Sequence, residues 1–168
     1  GNNSSFDAIV LRVIDGDTLV IKQVTQPTKK IDNKTIHVRL IGINSPERKN
    51  KQFPAQPYAR SARLSLKRLI QQGQNKVTII SSNKDKYGRL LAHVFTQAGI
   101  NIQYQLLAQG LAFNLAWPPH LKYQNCYRLA ETSALNARLK IWKHRYYRPV
   151  TVSDLGKTPL PAPDLNRN

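Results

Sequence analysis

The chain has 168 residues, with 26 Lys and Arg against 9 Asp and Glu, a formal net charge of +17 at pH 7. Its length is that of one ordinary domain, and 40% apolar with 21% charged residues is a globular composition and not a disordered one. The charge favours a polyanionic partner, nucleic acid before an anionic membrane, and the single Cys126 excludes an internal disulfide framework, a CxxC redox motif and a Cys-rich zinc site.

No apolar run is long enough to span a membrane. The basic residues are spread over the chain and do not form one amphipathic helix, which argues against a membrane-surface role. Residues 1–5 are polar, lack the charged-then-apolar pattern of a signal peptide, and read as a disordered N-terminus.

Phe6 to Ile14 reads as a strand, Asp15-Gly16-Asp17 as a turn, and Thr18 to Ile21 as a second strand. Residues 22–35 form a loop or a long hairpin end. Ile36 to Ile43 is the third strand, ended by Asn44-Ser45-Pro46 because proline cannot donate to the ladder. From Tyr58 to Gln72 the period turns helical, with Ala62, Leu66, Leu69 and Ile70 on one face and Arg60, Arg63 and Lys67 on another.

Lys76–Ser81 and Arg89–Phe95 are two more strands, joined by a turn-rich segment from Asn83 to Gly88. Asn101–Asn114 reads as a helix with a weak point at Gly110. Tyr123–Trp142 is the longest expected helix, its narrow face formed by Ala130, Ala134, Ala137 and Ile141, with Cys126 a packed residue on it. The domain is expected over 6–144, and 145–168, with four prolines, as an extended tail or linker. The order β-β-β-α-β-β-α-α is that of an α+β fold, a five-stranded OB-type β-barrel with three packed helices.

The nine acids are informative in so basic a chain. Asp15 and Asp17 share one turn, and Glu47 follows a strand end; hard oxygen ligands on neighbouring loops suit Ca²⁺ or Mg²⁺, although Asp15-Gly16-Asp17-Thr18 taken alone reads first as only a hairpin turn. Arg39 lies in a strand with Ile41 and Ile43 on its own face and Val38 and Leu40 on the other. Such an arginine is costly unless its charge is paired, and its planar fork suits phosphate or carboxylate. Arg89 opens the fifth strand with the same choice of partners.

These segments together resemble the staphylococcal nuclease-like, or thermonuclease, family. The resemblance rests on Val13-Ile14-Asp15-Gly16-Asp17-Thr18, on Val38-Arg39-Leu40-Ile41-Gly42-Ile43-Asn44-Ser45-Pro46-Glu47, and on Asp85-Lys86-Tyr87-Gly88-Arg89-Leu90-Leu91-Ala92. Leu107 to Ala112 and the ending Leu139-Lys140-Ile141-Trp142 complete it, in family order from about Phe6 to Trp142.

The resemblance implies an OB-type barrel whose members cut DNA and RNA with Ca²⁺ and leave 3′-phosphate ends. It gives Asp17, Asn44 and the Ser45 carbonyl to the metal, Arg39 and Arg89 to the scissile phosphate, and Glu47 to the attacking water. Lys86 and Tyr87 match positions that contact a nucleotide phosphate, and Trp117 stands near the family's base-stacking tyrosines. Asn44 departs from the family, which has Asp there. Weak metal binding, little metal dependence and loss of catalysis all stay open, the last making the chain a silent nucleic-acid-binding module. Family habit and a pI near 10.4 point to export from a bacterium.

Overall fold

A computed structural model of the chain describes residues 4–116, 118 and 121–147. Strand β1 runs Ser4–Asp15, β2 Thr18–Thr25, β3 Lys30–Leu40, β5 Lys76–Lys84 and β6 Leu90–Thr96; the two-residue strands β4, Ile43–Asn44, and β7, Phe113–Asn114, complete the set. The helices are α1, Ala59–Gln72, α2, Ile102–Ala108, and α3, Gln124–Asn136.

The five long strands close into a barrel in the order β1-β2-β3-β6-β5. Period-two alternation builds its interior: Ala8 and Val10, Leu19 and Ile21, Val38 and Leu40, Val77 and Ile79, and Ala92 and Val94 are all buried in one cluster. Leu66 and Ile70 of α1, Ile102, Leu106 and Leu107 of α2, and Tyr127 and Ala130 of α3 join the same cluster. Closure pairs the barrel strands on both sides and leaves no long edge for another chain. β3 and β6 are parallel, Val38–Leu40 against Leu90–Ala92, while the other barrel pairs are antiparallel. Among the described residues no helix is long and apolar enough to cross a membrane.

Several boundaries differ from the sequence reading, each for a local reason. β1 begins at Ser4, not Phe6, because Ser4 and Ser5 pair with Ser81 and Ile80 of β5. Residues 22–35 are the long hairpin end and not a loop: Lys22–Thr25 and Lys30–Thr35 continue β2 and β3. The third strand stops at Leu40 and not Ile43. Gly42, at φ +84°, turns the chain there, and a Cβ on it would meet the Tyr127 ring at 2.6 Å. Ile41 and Ile43 are therefore not in the strand that carries Arg39.

The helix expected over 101–114 ends at Ala108. Gly110, at φ +73°, breaks it, and Phe113–Asn114 instead pair with Ile43–Asn44. The helix expected to run to Trp142 ends at Asn136. Arg138 and Lys140 turn into the left-handed region, and Ile141 donates its N–H to the Gly110 carbonyl at 3.1 Å. Ala137 is thus exposed and not part of a packed face. Cys126 lies on α3 but on its exposed side, because Tyr127, Ala130 and Ala134 take the inner one. Within the expected tail, Arg145–Tyr147 form a short 3-10 turn whose Tyr147 hydroxyl donates to the Pro57 carbonyl at 2.6 Å; residues 148–168 lie outside the described residues.

Candidate active site

The β1–β2 turn is wedged in place. A Cβ on Gly16 would meet the Cβ atoms of Ala62 and Ser45 at 2.7 Å each, so glycine is what lets the turn approach both α1 and the loop after β4. The turn is braced within itself, the Asp17 N–H donating to Asp15 Oδ1 at 3.0 Å, and against β3, the Leu40 N–H donating to the Asp17 carbonyl at 2.9 Å. Asp17 is therefore held by its backbone before its carboxylate makes any contact.

That carboxylate is almost fully buried, and both of its oxygens are engaged. Oδ2 accepts from the Ser45 N–H at 2.9 Å and lies 3.4 Å from Arg39 Nη2; Oδ1 accepts from the Thr18 hydroxyl at 3.0 Å. Arg39 Nη2 also donates to Asn44 Oδ1 at 3.3 Å, and Nη1 donates to the Leu40 carbonyl. Asp17, Arg39, Asn44 and Ser45 are between 2% and 5% exposed, so this is an interior ionic cluster and not a surface pair. Burial alone would raise the Asp17 pKa. The Arg39 guanidinium and the Asp15, Ser45 and Thr18 hydrogen bonds outweigh it and hold the carboxyl below the usual range. Asp15 goes the other way: burial first, then the Asp17 carboxylate beside it, push its carboxyl up to about 8.

Arg89 is held differently. Asp85 caps its own turn, Oδ1 accepting from the N–H groups of Tyr87 and Arg89 at 2.9 Å each, while Oδ2 accepts from Arg89 Nε at 2.8 Å. This fixes the guanidinium through Nε and leaves its Nη atoms out of the ion pair. Among the described residues, Arg89 Nη2 is buried and has no hydrogen-bond partner. The Tyr87 ring, 61% exposed, stands beside it, with Arg89 Cζ 5.4 Å and Lys86 Nζ 5.1 Å from the ring centroid. A groove of about 830 Å³ leads away from this turn, lined in part by Lys34 and His37 of β3, Lys84 of β5, and Tyr87 and Arg89.

The structure thus brings Asp17, Arg39, Asn44 and Ser45 into one cluster, and Lys86, Tyr87 and Arg89 into a second group. The parallel β3–β6 pairing joins the two, setting Arg39 opposite Leu91, two residues after Arg89. Glu47, half-buried, is placed by its backbone: its N–H donates to Gln56 Oε1 and its carbonyl accepts the Gln56 N–H, both at 2.8 Å. Its charge acts on the Tyr147 phenol, whose pKa rises through burial first, then Tyr146 and Glu47. Trp117 lies outside the described residues.

Each arginine has taken a carboxylate partner, the alternative to phosphate that the sequence left open. Asp85 braces Arg89 although the sequence reading gave it no role of its own, and Asp15, read there with Asp17 as a hard oxygen ligand, lies beside Asp17 in the turn. The signal for Asp85 was its spacing: an Asp two residues before Tyr87 and four before Arg89 is an Asx turn aimed at both amides. Lys34 and Lys84 gave no signal, because only barrel closure brings them to one groove.

The candidate metal donors are all oxygen: the Asp17 carboxylate, the Asn44 amide and the Ser45 carbonyl, with the Asp15 carboxyl adjacent. That set fits a hard cation such as Ca²⁺ and no soft metal. Among the described residues no three His, Cys, Asp or Glu gather into a metal cluster, so amide and carbonyl oxygens would complete the shell.

A family model described as Staphylococcal nuclease homologue matches residues 37–144. The chain is 33% identical over 135 residues to a Thermonuclease of Staphylococcus intermedius, covering 80% of this chain and 75% of that protein. It is 31% identical over 135 residues to a Thermonuclease of Staphylococcus hyicus, with the same coverage. Endonuclease YncB of Bacillus subtilis (strain 168) is 33% identical over 138 residues, 81% of this chain and 61% of its own length. With the closed barrel and the arginine–carboxylate site behind them, these matches show that the chain belongs to the staphylococcal nuclease family and is an enzyme of its endonuclease kind.

Proposed function

We propose that the chain hydrolyses phosphodiester bonds within both DNA and RNA, assisted by Ca²⁺, and leaves 3′-phosphate ends. The observation that carries this reading is Arg89 Nη2: a buried guanidinium nitrogen without a partner among the described residues, one strand from a second arginine and a carboxylate. Leaving such a donor unsatisfied costs about 1–3 kcal/mol or more, and a phosphate oxygen would satisfy it.

In-line attack at phosphorus collects negative charge on the equatorial oxygens. Arg89, braced by Asp85, offers fixed donors to that charge, and Arg39 adds a second positive centre. Glu47 takes a proton from the attacking water as its oxygen bonds to phosphorus; the P–O5′ bond breaks, O5′ takes a proton from solvent and leaves as a 5′-hydroxyl, and the phosphate stays on the 3′ side. Asp17, Asn44 and the Ser45 carbonyl would hold the cation. When bound, it supplies Lewis-acid polarisation of the phosphoryl oxygen and of water. Lys86 and Tyr87 contact the neighbouring phosphate, and Trp117 stacks on a base. A site that grips phosphate reads no sugar, which supports action on DNA and RNA alike.

The second reading is a silent nucleic-acid-binding module. Asn44 favours it, an amide whose oxygen is engaged by Arg39. Digestion of plasmid DNA and of a transcript, across Ca²⁺, Mg²⁺, Mn²⁺ and chelator, separates the two. The proposal expects cutting with Ca²⁺ and 3′-phosphate ends that resist ligation until dephosphorylated; binding without cutting under any cation would leave the silent module. Export from a bacterial cell belongs to the same proposal, supported by the strong positive charge.

A further inference from the structure

The proposed chemistry uses two arginines and leaves four others gathered around a separate hollow. Arg12 at the end of β1, Arg48 in the loop after β4, and Arg60 and Arg63 of α1 line a concavity of about 400 Å³. Ala55 and Ala59 are part of its lining, and Asp15 is the one acid there. Through Asp15 the hollow shares the β1–β2 turn with the Asp17–Arg39 cluster.

Three features mark it as a place for an anion. None of the four arginines is in an ion pair among the described residues, where the pairs are Arg39–Asp17 and Arg89–Asp85. Arg60 and Arg63 are three apart on one helix, so their like charges repel. Arg60 also stands in the first turn of α1, where the helix macrodipole is already positive, and that end has neither an acidic residue nor a side-chain cap. A phosphate group would relieve all three features at once.

We infer that this hollow is a second phosphate-binding site, which takes a backbone phosphate of the polynucleotide away from the scissile bond. The inference rests on the nuclease reading for the identity of its ligand. It extends the substrate track past the β1–β2 turn, and Arg48, directly after Glu47, links the hollow to the catalytic loop. Because guanidinium–phosphate contacts are sequence-independent, the site adds affinity and salt dependence without base preference.

The test compares wild type with the double variant Arg60→Gln/Arg63→Gln. Equilibrium binding of a 30-nucleotide DNA is measured in chelator, so that nothing is cut, across a range of salt. The variant is expected to bind about tenfold more weakly, with a log–log salt slope shallower by about one to two. With Ca²⁺, KM for long DNA rises by a similar factor at unchanged kcat, while hydrolysis of a dinucleotide with one phosphodiester is unaltered. Arg60→Lys/Arg63→Lys restores most of the salt slope. Wild-type affinity and slope in the double variant would overturn the inference, as would equal losses on the dinucleotide and on long DNA, or stronger co-sedimentation with phosphatidylglycerol vesicles than DNA binding at matched salt. Wild-type chain that binds DNA but never cuts it would sink the nuclease reading alone, since the slope change would still be read in chelator.

Discussion

Arg39 lies on β3 and Arg89 just before the adjacent strand β6, and each faces a carboxylate, yet the protein spends their donors differently. Arg39 is 2% exposed and gives its Nη atoms to Asp17, Asn44 and the Leu40 carbonyl. Arg89 gives Nε to Asp85 and keeps Nη2 unpartnered. A guanidinium has five N–H donors in a rigid fork, so the number consumed internally decides how much is left for a ligand. Arg39 organises the acidic cluster from within, whereas Arg89 is braced through Nε and keeps Nη2 uncommitted among the described residues.

Removing each arginine should separate the two roles. Arg39→Ala strands a buried Asp17 charge, and breaking such a pair costs about 3–5 kcal/mol of stability. Turnover should fall by about 10²-fold or more as well. Arg89→Ala should lose turnover on the same scale, about 10²-fold or more, while its partly exposed pair contributes no more than about 1 kcal/mol of stability. Urea unfolding beside initial cleavage rates reads both effects; equal stability losses would erase the distinction. Arg39→Lys should rescue neither rate nor cluster, because a point charge cannot reach three acceptors in one plane.

Asp85→Asn sharpens the comparison next. It keeps an oxygen for the turn amides but weakens the charge-assisted grip on Arg89 Nε. Turnover is expected to drop by about tenfold without a matching loss in DNA affinity. An unchanged rate would mean that Arg89 needs no brace.

Asn44→Asp changes the Arg39 side. It adds a carboxylate to the oxygen donors, and the half-saturating Ca²⁺ concentration for cleavage should fall by about tenfold, the equivalent of 1.4 kcal/mol. If neither the Ca²⁺ requirement nor the rate moves, Asp17 and Asn44 are not metal ligands.

The smallest effect concerns pH. With its carboxyl pushed up to about 8, folded Asp15 keeps a proton that the unfolded chain loses near pH 4. Its stabilisation is complete below about pH 4 and is lost as pH rises towards 8. Asp17, held below its usual range, works in the opposite sense and loses its contribution only as pH falls through that lowered value. Melting curves in chelator should show Asp15→Asn gaining on wild type steadily between pH 4 and pH 8; a constant difference would contradict the assignment.

The sequence disclosed the parts of this site that are local. Asp15-Gly16-Asp17-Thr18 is a turn on its face, α1 follows from the spacing of Ala62, Leu66 and Ile70, and the barrel follows from the order of strands and helices along the chain. It was less legible where distant segments decide a local outcome. Phe113 and Asn114 leave the helical pattern because Ile43 and Asn44 offer them backbone partners. α3 stops early because Ile141 bonds to Gly110, thirty-one positions away. The two arginines read alike for the same reason: which N–H groups each has left depends on Asp17 and Asn44 arriving from other elements for one, and on Asp85 four residues upstream for the other.

The decisive measurement is single-turnover cleavage of DNA by Arg89→Lys, with thermal unfolding recorded on the same samples. Lysine keeps a charge for Asp85 but loses the Nη atoms. Unfolding at the wild-type temperature with a cleavage rate lower by about 10²-fold is the expected result, and it places the transition-state contact on those atoms. A cleavage rate equal to wild type would show that Nη2 is not what the phosphate uses.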